Sequence, residues 1–217
     1  MDLYIANKNY SSWSLRAWLV MKKFNLSFTE HNLKLETPCF SDTLATIAPI
    51  AKVPVLVDGS TTIWDSLAIC EYINEAYLYN KGWPSDPQQR AKARALAAEM
   101  HAGFNSLRNQ LPMNIRAKRK VELTAQSQND IARIEQIFSE QHTLFQHQGG
   151  WLFGDWGIVD AMFAPIALRF KTYGISLNAP ATAYMHKVLS CSVLAEWIAQ
   201  ALQETEIVEM DEAGEEI

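Results

Sequence analysis

The 217-residue sequence predicts an α/β domain of residues 1–79, a linker of residues 80–87 and an all-helical domain of residues 88–217 that ends in an acidic tail. Short apolar strands alternate with segments of helical periodicity in the first part, a pattern typical of a sheet covered by helices. A glycine and two prolines fall within the linker, where they interrupt regular structure. Beyond the linker, apolar residues recur at helical spacing until about residue 206.

Seven elements are predicted in the first domain. Leu15, Leu19 and Phe24 share one helical face, and Asp58 and Gly59 form a hairpin signal between two short strands. The elements are a strand at Leu3–Ala6, a helix at Ser12–Phe24, a strand at Ser27–Leu33, a weak helix at Cys39–Thr46, strands at Val55–Val57 and Thr61–Trp64, and a helix at Ser66–Tyr77. Their order, β-α-β-α-β-β-α, is that of a thioredoxin-like domain.

The second domain is predicted to contain helices only. Its first helix begins after Ser85 or Asp86 and is interrupted by Pro112, since proline cannot continue a helix. Further helices are predicted at Glu122–Gln146, Ile158–Phe170, Ala181–Leu189 and Val193–Leu202. The segment from Glu204 onward has seven acidic residues and no basic residue, so we expect a solvated, loosely ordered tail. The basic run at residues 116–120 is expected in a solvated loop or as an attractor of anionic ligands.

Composition excludes several functional classes. The net charge, 19 − 24 = −5, argues against nucleic-acid binding. No apolar run reaches the ~18–20 residues that would cross a membrane, and the first residues lack the features of a signal peptide, so we expect no membrane association and a cytoplasmic location. The three cysteines are scattered and form no CxxC pair, which gives no support for a dithiol or a metal site.

Two short segments predict a site for a small peptide. A cis bond between Val53 and Pro54 would leave the backbone N–H and C=O of Val53 free to pair with an extended ligand. Asp65 and Ser66 stand where a helix begins, and a helix N-terminus can bind a carboxylate. The alternatives are an ordinary strand start with a trans proline, and a helix cap without a ligand. Ser11 and Ser12 precede another helix. Each serine either caps this helix or contacts a ligand directly.

These segments resemble motifs of the glutathione transferase family, and in particular its bacterial zeta-like, serine-type group. The resemblance rests on four segments in order: Tyr10-Ser11-Ser12-Trp13-Ser14-Leu15-Arg16, Lys52-Val53-Pro54-Val55-Leu56, Asp65-Ser66-Leu67-Ala68-Ile69 and Gly154-Asp155-Trp156-Gly157-Ile158-Val159-Asp160-Ala161. Two positions depart from the pattern. Trp13 replaces the cysteine of the zeta loop, and Gly157 replaces the usual Ser or Thr cap, so we expect Asp160 to take a larger part in capping that helix.

The resemblance implies glutathione as co-substrate, with no metal. It implies that Ser11, and next Ser12, contacts the sulfur, and that the backbone at Val53-Pro54 holds the cysteinyl unit. The remaining implied contacts are Asp65 with the α-ammonium, Ser66 with the γ-glutamyl carboxylate, and Lys52 with the glycyl carboxylate unless it is only solvated. The expected pocket for a small electrophile includes Lys8, Trp13, His101, Asn105 and Arg108, of which the last three recur on one predicted helical face.

Three functions follow as alternatives from the resemblance. The first is transfer of glutathione to a soft electrophile by a serine-activated thiolate. The second is glutathione-dependent cis–trans isomerisation of the maleylacetoacetate type, against which Trp13 counts. The third is a non-catalytic binding or stress protein that keeps the fold. The family also implies a homodimer.

Overall fold

The computed structural model describes residues 1–217, and its first part is a four-stranded sheet with three helices. The strands are β1 (Asp2–Ala6), β2 (Thr29–Leu33), β3 (Val55–Asp58) and β4 (Thr61–Trp64), and the helices are α1 (Ser12–Lys23), α2 (Pro38–Ile47) and α3 (Ser66–Ala76). The strand order is β2-β1-β3-β4; β1 runs parallel to β2 and antiparallel to β3, and β3 and β4 form a hairpin. This arrangement confirms the thioredoxin-like fold class.

The second part is helical apart from one short strand pair. Its helices are α4 (Pro87–Ala102), α5 (Asn105–Gln110), α6 (Ala125–Phe145), α7 (Ile158–Thr172), α8 (Ala179–Leu189) and α9 (Ser192–Ala201). Nearly every residue of α7 is buried, which makes it the central helix of this part. Helix α1 packs against α3, α7 and α9. The N-terminus of α1, with its serine pair, therefore lies where the sheet-containing and helical parts meet.

The prediction of one long helix before Pro112 is wrong in one respect, because this helix ends ten residues earlier, at Ala102. Helix α4 ends at Ala102, Gly103 is extended, and Phe104 adopts a left-handed conformation with φ 57° before α5 begins. Phe104 is only 8% exposed, so burial of its ring accompanies a backbone conformation that costs a non-glycine residue free energy. As a consequence, His101 lies on α4 and Arg108 on α5.

The expectation of a loosely ordered tail is also wrong. Residues 204–217, which we call the C-terminal strap, contain a 3₁₀ turn at Glu209–Asp211 and a strand β6 (Glu215–Glu216) that pairs with β5 (Arg119–Lys120). Val208 is 3% exposed. Arg116 donates to the backbone oxygens of Glu204 and Glu206. Arg119 forms an ion pair with Glu212. Two arginines of the basic run, Arg116 and Arg119, therefore bind the strap.

Asp160 takes the capping role that Gly157 cannot fill with a side chain. Its carboxylate accepts hydrogen bonds from the N–H groups of Gly157 (2.9 Å) and Leu152 (3.1 Å) and from the hydroxyl of Tyr184 (2.8 Å). Burial nevertheless raises the pKa of Asp160 to about 6. No helix in the chain combines the length and the apolar character that crossing a membrane requires.

Candidate functional site

A cleft of about 470 Å³ opens at the N-terminus of α1. It is lined by Tyr10, Ser11, Ser12, Trp13, Leu35, Phe40, Ala51, Lys52, Val53, Arg108, Asn109, Pro112, Met113, Arg169 and Asp211. A second chamber of about 230 Å³ shares Trp13, Lys52 and Val53 with it and extends to Pro54, Asp65 and Ser66. The two chambers therefore adjoin each other, and both segments of the predicted peptide site line them.

The backbone of Val53 is available for a ligand. The Val53–Pro54 peptide bond is cis, and neither the N–H nor the C=O of Val53 forms a hydrogen bond within the chain. Backbone polar groups next to a folded core are normally paired. An unpaired donor and acceptor on the same residue of a cleft wall fit an extended peptide laid alongside, in the manner of an added strand.

The N-terminus of α3 supplies the other end of the site. Asp65 caps this helix, since its carboxylate accepts from the N–H groups of Leu67 (2.9 Å) and Ala68 (3.2 Å). Its φ of 76° directs the chain sharply into the helix. The hydroxyl of Ser66 is buried and has no hydrogen-bond partner. Because a buried hydroxyl without a partner is unfavourable, this oxygen is suited to a ligand carboxylate.

The two serines of the α1 N-terminus differ in their hydrogen bonds. Ser11 caps α1, where its Oγ accepts weakly from the Ser14 N–H (3.4 Å) and donates to Ser14 Oγ (2.7 Å). Ser12 Oγ accepts from a guanidinium nitrogen of Arg169 (3.0 Å) and donates to no group of the chain. Both hydroxyls line the cleft. In this arrangement Ser12 is the serine whose hydrogen is free for a ligand.

Arg169 is a cleft residue that the sequence patterns did not identify. It is 5% exposed on α7, and its guanidinium also donates to the backbone oxygens of Arg108 (3.0 Å) and Leu111 (2.6 Å). It makes no ion pair, and its Nε has no partner. Burial, and then the charge of Arg108, lowers the pKa of Arg169 to about 10. The one available signal was a basic residue within an otherwise apolar helical segment.

Trp13 lies between two guanidinium groups. The guanidinium carbon of Arg16 is 4.2 Å from the Trp13 ring centroid, and that of Arg108 is 5.0 Å away. The edge of the ring meets His101 at a centroid distance of 5.2 Å. Burial lowers the pKa of Arg16 to about 9, with smaller contributions from the charges of Arg169 and Arg108. The aromatic ring stabilises both cations, of which Arg16 is buried away from water.

The predicted residues of the helical part are linked across the α4–α5 break, because the Arg108 guanidinium donates to the backbone oxygen of His101 (3.1 Å). His101 Nε2 is 3.0 Å from the Asp65 carboxylate and so connects the helical part to α3. Asn105 is exposed, and its Oδ1 accepts from Arg108 (2.7 Å). Arg108 lines the cleft, whereas His101 and Asn105 do not, which corrects their expected place in the electrophile pocket.

Lys8 does not line the cleft, which corrects its expected place in the electrophile pocket. It is 1% exposed and forms an ion pair with Glu30 at 2.5 Å. Its ammonium lies 5.2 Å and 5.1 Å from the ring centroids of Trp18 and Trp197. Lys8 is therefore a buried packing residue between α1 and α9, a role that sequence alone does not distinguish from a solvated lysine.

Asp211 is the second cleft residue that the sequence patterns missed. It belongs to the C-terminal strap and is the one carboxylate that lines the larger chamber. Burial raises the pKa of Asp211 to about 6, against a lowering influence of Arg169 and further raising influences of Glu36 and Glu212. The error about the tail and the omission of Asp211 share one cause, since a strap that binds the rest of the chain has no periodicity of its own.

Comparison with known proteins finds a family model that matches the part of the chain containing this site. The model of the family "Glutathione S-transferase, N-terminal domain" matches residues 10–76, which include the serine pair, Val53-Pro54 and Asp65-Ser66. The matched residues make up most of the first domain. A similar curated protein, the probable maleylacetoacetate isomerase of Caenorhabditis elegans, is 28% identical over 177 residues, or 81% of each chain.

Solved glutathione S-transferase structures share the fold along nearly the whole chain. A maleyl pyruvate isomerase, described as a bacterial glutathione S-transferase of the zeta class, aligns with a TM-score of 0.71 at 20% identity over 94% of this chain and 98% of its own. A glutathione transferase homolog from Burkholderia GL BGR1, solved with bound glutathione, aligns with a TM-score of 0.67 at 24% identity over 92% and 96%. At these identities, the likeness establishes the fold.

Proposed function

We propose that this protein binds glutathione and adds its thiolate to a small, soft electrophile, so that the whole tripeptide becomes attached through a new carbon–sulfur bond. One observation carries the proposal: the unpaired backbone of Val53 and the unpartnered hydroxyl of Ser66 line the same chamber. Together they match the backbone of an extended tripeptide and the carboxylate at its γ-glutamyl end. The bound glutathione of the Burkholderia homolog, which has the same fold, supports this assignment.

The remaining contacts to glutathione follow from the charges around the chamber. Asp65 is placed to receive the α-ammonium, although its carboxylate also pairs with His101. Lys52 is exposed at the junction of the two chambers and can reach the glycyl carboxylate. In this orientation the cysteinyl sulfur lies on the side of the serine pair, because Val53 and the serines share the larger chamber.

The serine pair then activates the sulfur as a thiolate. A free thiol has a pKa of about 8.5, and lowering it by ~2 units needs about 2.7 kcal/mol. A hydroxyl that donates to the thiolate supplies ~1.5–3 kcal/mol, and the N-terminus of α1 adds ~0.3–1 kcal/mol. The two contributions suffice without a general base. We propose that Ser12 makes the direct contact, assisted by Ser11, because the Ser12 hydrogen is free and Ser11 already donates to Ser14.

Trp13, Arg108 and Arg169 form the wall of the larger chamber beyond the serines and are our candidates for contact with the electrophile. They present an aromatic face and two cationic groups, which suit a planar acceptor with a carbonyl, nitro or carboxylate substituent. As the family implies, we propose that the protein acts as a homodimer.

A second candidate function is glutathione-dependent cis–trans isomerisation. The name of the Caenorhabditis elegans relative favours it, and so do two arginines facing the position of the electrophile, since they can bind a carboxylate substrate. In an isomerase, glutathione is returned after each turnover. Measuring free glutathione during turnover separates the candidates, because conjugation consumes one thiol per product. A protein that binds no glutathione would instead match the non-catalytic alternative.

Ser66→Ala tests the glutathione site itself. We expect calorimetry to show glutathione binding to the wild type, and roughly tenfold weaker binding to Ser66→Ala because a carboxylate loses one charge-assisted hydrogen bond. Ser60→Ala is the control, since Ser60 is exposed in the β3–β4 turn and the same atom is removed there. Equal affinities of the wild type and Ser66→Ala would reject the proposed orientation, and absence of binding to the wild type would reject the function.

A further inference from the structure

Asp211 faces the part of the cleft proposed to receive the electrophile. It shares the larger chamber with the two serines, Arg108 and Arg169, and it is the only acidic side chain there. Asp211 and Arg169 interact through their charges without forming a direct ion pair. Lys52 also lines this chamber, but it extends into the glutathione chamber as well.

The strap residues on both sides of Asp211 are held in place by hydrogen bonds to the rest of the chain. On the side toward residue 204, the Arg116 guanidinium donates to Glu206 O at 2.7 Å. On the other side, Glu212 Oε1 accepts from Tyr10 Oη (2.5 Å) and Asn114 Nδ2 (2.9 Å). A carboxylate anchored in this way is part of the cleft wall, since its neighbours in the chain are fixed to both halves of the molecule.

The fixed charges leave the electrophile side with a net charge near +1. Arg108 and Arg169 contribute two positive charges there, and Asp211 contributes one negative charge above its pKa. One negative charge on a bound molecule neutralises this net positive charge. Because Lys52 is engaged by the glycyl carboxylate in the proposed complex, a second negative charge would lie near Asp211 without a free cation to compensate it, and like charges that share a partly buried site repel strongly. Discrimination by an unfavourable contact of this kind is a common source of specificity.

We infer that Asp211 is a specificity-determining residue that restricts the electrophile to a molecule with at most one negative charge, and so disfavours dicarboxylates. The inference rests on the proposed function, because it places the electrophile next to glutathione in the larger chamber. The inference also distinguishes the two candidate enzymatic functions by the charge of the substrate. It favours conjugation of neutral or monoanionic electrophiles over isomerisation of a dicarboxylate.

Binding of S-substituted glutathiones tests this inference without requiring turnover. The probes are S-(4-carboxybenzyl)glutathione and S-(3,5-dicarboxybenzyl)glutathione, which differ by one carboxylate on the substituent, and calorimetry at pH 7.5 gives their affinities. We expect the wild type to prefer the monocarboxylate about tenfold and Asp211→Asn to reduce this preference to about twofold or less, because one repulsive charge is removed.

Two further variants make the test specific. Glu209→Gln removes the same charge from the same 3₁₀ turn at an exposed position, so it should keep the wild-type preference. Asp211→Glu keeps the negative charge and should therefore also keep the wild-type preference for the monocarboxylate. An unchanged preference in Asp211→Asn, or an equal loss in Glu209→Gln or Asp211→Glu, would overturn the inference. If unmodified glutathione fails to bind the wild type, the proposed function fails and the inference with it; if glutathione binds and the preference does not move, only the inference fails.

Discussion

Replacing Ser12 with alanine is the most direct test of how the sulfur is activated. The Ser12 hydroxyl accepts from Arg169 and has its own hydrogen free, so its loss removes a donor to the thiolate. A hydrogen bond to a charged group contributes ~1.5–3 kcal/mol, and at ~1.36 kcal/mol per unit this corresponds to a rise of about 1–2 units in the pKa of bound glutathione. Because the pKa of the bound thiol is proposed to start near ~6.5, the thiolate fraction at pH 7, and with it kcat/KM, should fall about three- to twenty-fivefold.

The assay is a titration of the thiolate absorbance of bound glutathione, paired with conjugation rates over the same pH range. Ser11→Ala serves as the comparison, because Ser11 caps α1 and its truncation should cost roughly 1 kcal/mol of stability while leaving the Ser12 hydroxyl in place. Ser12→Thr, which keeps a hydroxyl, should restore most of the rate.

A specific outcome would refute this reasoning. If Ser11→Ala raises the pKa of the bound thiol and Ser12→Ala does not, the donor is Ser11, and the free hydrogen on Ser12 is irrelevant to catalysis. If neither substitution moves the pKa, the thiolate is stabilised by the helix N-terminus or by Arg169 rather than by a hydroxyl.

Three other predictions concern residues outside the reacting centre. Lys8→Met should lower the free energy of unfolding by about 2 kcal/mol, because the partly exposed Glu30 loses its buried partner; urea denaturation measures this, and an unchanged stability would show that the pair contributes little. Because burial raises the pKa of Asp211 to about 6, above its unfolded value near ~3.9, the folded state binds more protons between these values, and stability should decrease as pH rises from 4 to 6. Asp211→Asn should make that slope shallower in thermal melts, and an identical slope would contradict the assignment. Arg116→Met should speed proteolysis within residues 204–217, which mass spectrometry would detect, since two carbonyl contacts are lost; equal cleavage of wild type and variant would show that other contacts suffice.

The fold was predictable because its signals are periodic and local. Leu15 and Leu19 mark the buried face of α1, and the predicted hairpin turn joins β3 and β4, at Gly59 and Ser60. The segments at Val53 and Asp65 were also identifiable, since a proline before a strand and an acid before a helix act through backbone geometry close to their own positions.

Other parts of the site depend on contacts between residues far apart in the chain, and local patterns do not encode them. The left-handed Phe104 is stabilised by burial of its ring, so the break between α4 and α5 required the core to be known. The burial of Lys8 depends on Glu30 and Trp197. Asp211 lies in the cleft because distant residues hold the strap, among them the arginines at positions 116 and 119.

The contact between Glu204 and the loop before the serine pair has a consequence for biosynthesis. The Glu204 carboxylate accepts from the N–H groups of Lys8 (2.8 Å) and Asn9 (2.9 Å), so it joins residues almost 200 positions apart. During translation the sheet can form long before this partner has been made. The loop that leads into Ser11 cannot form these hydrogen bonds until Glu204 has been synthesised. We therefore expect nascent chains that stop before Glu204 to have folded cores but not to bind glutathione.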